Sequence, residues 1–410
     1  MAHAKPHEPA LSHGDLAGRF RAARALTEAL AAPLSEADAT IQSMDDASPT
    51  KWHLAHVTWF WETFLLRDHV AGYRLFDQQW PFLFNSYYEA EGKRHARARR
   101  GMITRPSLAE VLAYRAHVTE AMEPMLGREE LRCLIELGIA HEQQHQELLL
   151  TDIKHALVQN PLGPAMWDGT SNSSQARERH WHAHPGGIAL VGHEGESFAF
   201  DNEGPRHRVL LEPFALAGTL VTNAEWQAFI DDGGYRTASL WLSDGWAWVQ
   251  ANGIAAPDYW DEDKHFTLKG WQPREPDAPV THISFYEADA FATWAGARLP
   301  TEFEWEAIAQ SHDPAGGNQL DAAGPVAPLG SDSLFGDCWQ FTRSAYLPYP
   351  RYQPPAGAVG EYNGKFMSGQ VVLKGASCAT SRGHSRASYR NFFYPHQRWQ
   401  FTGLRLAKDA

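Results

Sequence analysis

The chain has 410 residues and carries 36 Lys+Arg against 49 Asp+Glu, a formal charge of −13. A chain of this length builds two or three domains with ample core, and its acidic balance argues against general binding to nucleic acid or an anionic membrane. Its 3 widely spaced cysteines exclude a dense disulfide framework, and no apolar run approaches the ~18 residues that a membrane span needs. The opening MAHAKPHEPALSHGD has neither a basic n-region nor an apolar stretch, so no leader is expected; a cytoplasmic protein without nucleic-acid or membrane partners is. The unusual counts are 21 His and 16 Trp, and His is the commonest transition-metal ligand.

Residues 15–160 read mostly as helix. Asp15 to Ala32 spaces Leu16, Phe20, Ala23, Leu26, Thr27 and Leu30 at close to the helical period and stops at Pro33. A second helix is expected from Ser48, as N-cap ahead of Pro49, through Trp52, Ala55, His56, Trp59, Phe60 and Thr63 to Leu66. Ser107 caps a third, Leu108 to about Met125, and Arg128 to about Val158 supplies a fourth. Four amphipathic helices with one long connection, Arg67 to Pro106, predict a bundle over residues 1–165. The stretch 166–187, polar and aperiodic around GTSNSSQARERH, reads as a linker. Over 188–410, rich in Gly, Pro and Trp, runs such as His207–Leu211 and Gln370–Leu373 read as strands and Ser284 to Trp294 as a helix. The fold class is therefore multidomain, an α bundle followed by an irregular α+β domain whose long loops suit function.

The sharpest local signal is His141-Glu142-Gln143-Gln144-His145 within an apolar-periodic helix. Spacing i, i+4 sets both imidazoles on one face, as two ligands of one metal require; partly buried helix histidines give the same spacing. HEQQH also satisfies the zinc-protease pattern in which the Glu is the general base, but no metzincin extension or helical Glu partner follows it. A third histidine is offered by His53 or His56, three apart and on nearly the same face. His56 shares its stripe with Trp52, Trp59, Phe60 and Thr63 and is the more inward. Two histidines from one bundle helix and one from another form a facial three-nitrogen site with three open positions. That arrangement favours redox chemistry over closed structural zinc.

The segments Ser48–Leu66, Leu83–Gly101 and His141–His155 resemble the helical DinB-type domain of ergothioneine-biosynthetic sulfoxide synthases. Leu220–Asn223, Pro279–Ser284, Ala297–Trp305 and Gly403–Arg405 resemble the sulfatase-modifying-factor, or formylglycine-generating-enzyme-like, domain. The resemblance covers nearly the whole chain. It implies an iron(II) centre on His56, His141 and His145, O₂ as co-substrate, and coupling of hercynine to a thiol with C–S bond formation and sulfoxidation. It also implies roles for several further residues. Gln144 matches the position that contacts hercynine. Tyr87-Tyr88 matches the tyrosine pair of members that use free cysteine, either phenol being apt to deliver a proton or hydrogen atom. Arg94 and Arg97, within the basic run Lys93, Arg94, Arg97, Arg99 and Arg100, match anchors for the thiol substrate's carboxylate. Asn391 and Phe392 match the hercynine loop, and Phe393 stands where γ-glutamylcysteine-using members tend to have an acid, which favours cysteine.

Two departures accompany the resemblance. Lys374-Gly375-Ala376-Ser377 replaces the family's Arg-Gly-Gly-Ser, which keeps open a relative that makes a selenoneine precursor from a selenosugar. The stretch Arg382 to Tyr389 lacks the close cysteine pair of copper-dependent formylglycine generators, so Cys133, Cys338 and Cys378 are expected as packing residues. A binding module with a lapsed metal site is the alternative of another class.

Overall fold

The computed structural model describes residues 15–169, 174, 176–355, 360 and 363–410. The N-terminal part comprises α1 (Leu16–Ala31), α2 (Glu36–Thr40), α3 (Thr50–Trp61), α4 (Trp80–Phe84), α5 (Leu108–Met122) and α6 (Arg132–Val158). The long helices α1, α3, α5 and α6 are the expected four: α6 packs on α1 and α3, and α3 on α5. Asp15 caps α1 through Gly18 N, and Ser107 with Glu110 forms a capping box on α5.

Ser48 does not cap α3. The helix begins after Pro49 without a side-chain cap; Ser48 N donates to Asp152 at 2.8 Å, and Ser48 Oγ accepts from Arg100 Nη1 at 2.9 Å. At its far end α3 runs into a π-helical turn, Glu62–Arg67. There the buried Glu62 carboxylate accepts from Tyr114 Oη at 2.6 Å, Phe76 N at 2.8 Å and Tyr73 Oη at 3.0 Å, which pins the start of the long connection.

The second part contains, in chain order, β1 (Trp181–His184), β2 (Gly187–Val191), β3 (His207–Leu211), β4 (Phe214–Ala217), α7 (Asn223–Asp231) and α8 (Ser243–Asn252). It continues with β5 (Trp260–Asp261), β6 (Lys264–Thr267), β7 (Gly270–Pro273), α9 (Phe285–Trp294), α10 (Glu302–Ala309) and β8 (Trp339–Ala345). It ends with β9 (Val371–Gly375), β10 (Asn391–Phe393), β11 (Thr402–Gly403) and β12 (Ala407–Asp409). Among the described residues these strands make small sheets in the orders β1-β4-β12, β10-β9-β8-β11, β2-β3 and β5-β6-β7. All pairings are antiparallel except β11 with β8. Strand β1 lies inside the stretch read as linker, of which residues 170–173 and 175 are outside the described residues.

An apolar cluster runs without a break from the bundle (Phe20, Trp61, Leu150) into the second part (Val280, Trp339, Phe401). Cys338 and Cys378 are buried as expected, whereas Cys133 is not a packing residue: it is exposed near the start of α6, off that helix's apolar face. The Lys374 departure is internal too. Lys374 is fully buried and pairs with Glu306 at 3.1 Å behind β9.

Candidate metal centre

The apolar stripes of α3 and α6 face each other and bring His56, His141 and His145 together, with one ligand nitrogen of each within 4.8 Å of the others. His56 Nε2 and His141 Nε2 are 3.2 Å apart. The close approach depends on Gly138, one turn before His141, where a Cβ would lie 2.5 Å from the Trp61 ring. Trp52 and Trp59 stack on the two sides of His56, at 4.5 Å and 5.5 Å between ring centres.

Hydrogen bonds set which nitrogen of each ring is available. The Phe84 carbonyl accepts from His56 Nδ1 at 2.6 Å, which leaves the His56 Nε2 lone pair bare. His53 Nε2 donates to Asp152 Oδ2 at 3.0 Å, so its Nδ1 accepts the proton of His145 Nδ1 at 2.8 Å and His145 Nε2 is bare too. Asp152 Oδ1 accepts from Trp399 Nε1 of the second part at 3.0 Å, and both domains thereby orient one candidate ligand, His145. Burial, reinforced by the neighbouring rings, keeps His56 and His145 neutral well below the usual imidazole value, and burial takes His141 down to about 3. Three neutral imidazoles with converging lone pairs and no carboxylate among them are a donor set for a divalent transition metal, and these residues fit one.

Glu142 is not at this face. Its fully buried carboxylate accepts from Arg115 Nη2 at 2.9 Å, Trp61 Nε1 at 2.9 Å and Arg24 Nη1 at 3.1 Å. Burial alone would raise its pKa, but Arg24 and Arg115 outweigh that and hold it ionised below the usual range. A glutamate spent on the α1–α3–α5 interface cannot serve as base to a metal-bound water, and the HExxH match carries no protease chemistry.

The other candidates lie at differing distances from the triad. Tyr88 is buried at 5.6 Å from Trp59 and stacks on Tyr87 at 4.8 Å, ring centre to ring centre. Burial raises the Tyr87 phenol, whose ring packs edge-on against Phe366 at 5.2 Å. Phe392 stacks on Tyr346 at 4.2 Å and lies 6.0 Å from Phe366, so the tyrosine pair adjoins the β10 loop. Asn391 Oδ1 accepts from Phe392 N at 2.9 Å, and Phe393 is half-buried against the core. Gln144 Nε2 donates to Tyr389 Oη at 2.9 Å. Arg94 pairs with Glu89 at 2.6 Å, and Arg97 donates to the Asp46 carbonyl; both are exposed.

The cation turned inward is Arg100. It is buried, its Cζ lies 3.3 Å from the centre of the Trp52 ring, and among the described residues it bonds Ser48 and Ser86 but no carboxylate. Burial and the nearby Arg97 guanidinium disfavour its charge, so an anion beside it would be welcome. Sequence reading grouped Arg100 with its flanking cations and passed over Asp152. Asp152 follows His145 by seven residues, two helical turns, and that spacing was the available signal.

Residues 19–149 match the DinB superfamily, and residues 170–324 match the sulfatase-modifying factor enzyme 1-like domain. Hercynine oxygenase of Mycolicibacterium smegmatis is 33% identical over 407 residues, covering 88% of this chain and 91% of that protein. The hercynine oxygenase of Mycobacterium tuberculosis is 32% identical over 397 residues, 88% of this chain and 91% of its own. Formylglycine-generating enzyme of Streptomyces coelicolor is 36% identical over 149 residues, 31% of this chain and 45% of that enzyme. No helix among the described residues is long and apolar enough to cross a membrane. With both halves matched in order, and with identity carried across nearly the whole length, the chain belongs to the hercynine oxygenase family of enzymes.

Proposed function

We propose that this protein is an iron(II)- and O₂-dependent sulfoxide synthase that joins hercynine to cysteine, giving hercynyl-cysteine sulfoxide. The observation that carries the reading is the neutral three-histidine cluster in a chain of this family. Bound at that cluster, iron(II) would supply O₂ activation and open positions for substrate donors.

The chain's own residues do the rest. Phe84 O, and Asp152 through His53, fix the tautomers, so His56 and His145 present Nε2 without rearrangement. Because the three ligands are uncharged, the site keeps the metal's full positive charge and accepts a thiolate readily. Tyr88, packed on the Trp59 that stacks on His56, and its neighbour Tyr87 supply phenolic protons; burial keeps the Tyr87 proton on its oxygen at neutral pH, ready for transfer to reduced oxygen. Arg94, Arg97 and the buried Arg100 form a cationic margin for the thiol substrate's carboxylate. Asn391, Phe392 and Gln144 face hercynine, the aromatic ring suiting its quaternary ammonium. Phe393 adds no charge, in keeping with a small donor such as cysteine.

The test is anaerobic Fe(II) reconstitution followed by O₂ and mass spectrometry of products from hercynine with cysteine, γ-glutamylcysteine or a selenosugar. The cysteine sulfoxide adduct is expected, and His141→Ala should abolish both metal binding and product. Full activity in that variant, or no product from any donor, overturns the proposal.

A further inference from the structure

Arg100 and His56 lie on the two faces of one indole. Arg100 Cζ is 3.3 Å from the centre of the Trp52 ring, and the His56 ring stacks on Trp52 at 4.5 Å with 13° between the planes. At such distances two groups cannot share one face, so Trp52 is held between them. Trp52 Nε1 donates to the Leu83 carbonyl at 3.1 Å, which fixes the indole in its plane. Arg100 is 4%, Trp52 3% and His56 0% exposed, so bulk solvent does not enter the stack between the guanidinium and the candidate ligand.

Arg100 keeps its charge in that position, because a guanidinium is not deprotonated in proteins. Nη1 donates to Ser48 Oγ at 2.9 Å and Nη2 to Ser86 Oγ at 3.2 Å, neutral hydroxyls that hold the cation without cancelling it. The carboxylate that acts on Arg100, Asp152, has its own oxygens committed to Ser48 N, His53 and Trp399. The other cations of the run, Lys93, Arg94, Arg97 and Arg99, are exposed, and water and salt screen their charges.

We propose that Arg100 is a positioning residue that sets a fixed positive charge behind Trp52 and His56 and thereby holds bound iron in its ferrous state between turnovers. This rests on the functional reading above, in which ferrous iron is the form that takes up O₂. Oxidation to Fe(III) removes one electron and adds one positive charge at the three-histidine cluster. The three neutral imidazoles offset none of that charge, and a desolvated cation on the far face of Trp52 opposes it across a medium that screens weakly. The sign follows from charge alone: the cation favours the ion of lower charge.

The test is an anaerobic redox titration of the iron-loaded full chain without substrates, with ferric iron followed by electron paramagnetic resonance. Arg100→Gln and Arg100→Met, one polar and one apolar, both remove the charge. Each should raise the Fe(III)/Fe(II) ratio at a given potential about tenfold, a midpoint about 59 mV more negative for one electron. Arg100→Lys keeps the charge and loses the flat fork, and should stay within about twofold of wild type. Arg97→Gln removes an equal charge that solvent screens, and should also stay within about twofold. A ratio unmoved in Arg100→Gln and Arg100→Met, or moved as far in Arg100→Lys or Arg97→Gln as in Arg100→Gln, would overturn the assignment while leaving the functional reading intact. Failure of wild type to bind iron would overturn both.

Discussion

Replacing Gly138 by Ala sets two known magnitudes against each other. A Cβ there would lie 2.5 Å from Trp61 Cη2, 2.7 Å from Cζ3 and 2.9 Å from Cζ2, whereas carbon atoms rest at about 3.5–4.0 Å. Trp61 cannot swing away: it is fully buried, edge-on to Phe20 at 4.9 Å, and tied through Nε1 to Glu142 at 2.9 Å. Helices α3 and α6 must therefore part by about 1 Å, an overpacking cost of about 1–3 kcal/mol. Better helix propensity returns up to about 1 kcal/mol, so the net loss of stability is about 0–2 kcal/mol. The metal site is affected more, because α3 carries His56 and α6 carries His141 and His145, and metal–ligand distances tolerate only about 0.2 Å. We expect metal affinity, measured by competition with a chelator, to fall about tenfold or more while the urea midpoint moves little. A variant that is more stable and binds metal as tightly as wild type would show that propensity alone governs the position and would refute the close-approach argument.

Asp152→Asn should lower metal affinity about 10- to 100-fold in the same chelator assay, because His53 loses the carboxylate that fixes its tautomer; unchanged affinity would break the Asp152–His53–His145 link. Glu142→Gln should cost about 3 kcal/mol or more in urea denaturation by stranding two buried guanidiniums, with product formation persisting below the melting range. Complete loss of chemistry in a stable Glu142→Gln protein would instead return that residue to a catalytic role. Burial takes the Lys154 ammonium, which donates to His282 Nε2 at 2.7 Å, down to about 7. Between that value and the ordinary ~10.4 the unfolded chain holds a proton that the folded chain has released, so this group makes stability rise with pH across the window. Lys154→Met should remove that rise, and parallel stability–pH curves for the two proteins would contradict it. A thiol reagent should label Cys133 alone in the native protein; rapid labelling of Cys338 or Cys378 would contradict their burial.

The i, i+4 histidines were legible because both lie on one helix, where spacing fixes direction. The choice between His53 and His56 was not settled by spacing, since three residues on a helix barely separate two rings. Their partners favour His56: His53 is turned to Asp152 and His145, whereas His56, bonded to Phe84 through Nδ1, turns its Nε2 toward His141 Nε2 at 3.2 Å. Partners that sequence distance hides were the hardest to read. Trp399 meets Asp152 across 247 positions and Tyr389 meets Gln144 across 245, and nothing local marks either residue. The basic run was visible as charge, but the irregular turn from Arg97 to Met102 decides that Arg100 turns inward while Arg97 stays outside. Ser48 had the composition of a cap and lost the role because Arg100 claims its hydroxyl.

Helix α6 presents the candidate metal ligands His141 and His145 on one strip of its surface and meets the second domain through side chains beside it. Gln146 meets Ser381, Glu147 meets Trp339, Ser377 and Thr380, Asp152 meets Trp399, and Lys154 meets His282. Metal loading and domain docking therefore draw on the same helix and are thermodynamically linked. Whatever free energy the ion gives to the folded state, RT ln(1 + [M]/Kd), is shared by the interface, and whatever the interface gives is returned as affinity for the ion. The loaded protein should melt as one cooperative unit, and chelation should separate that transition into two.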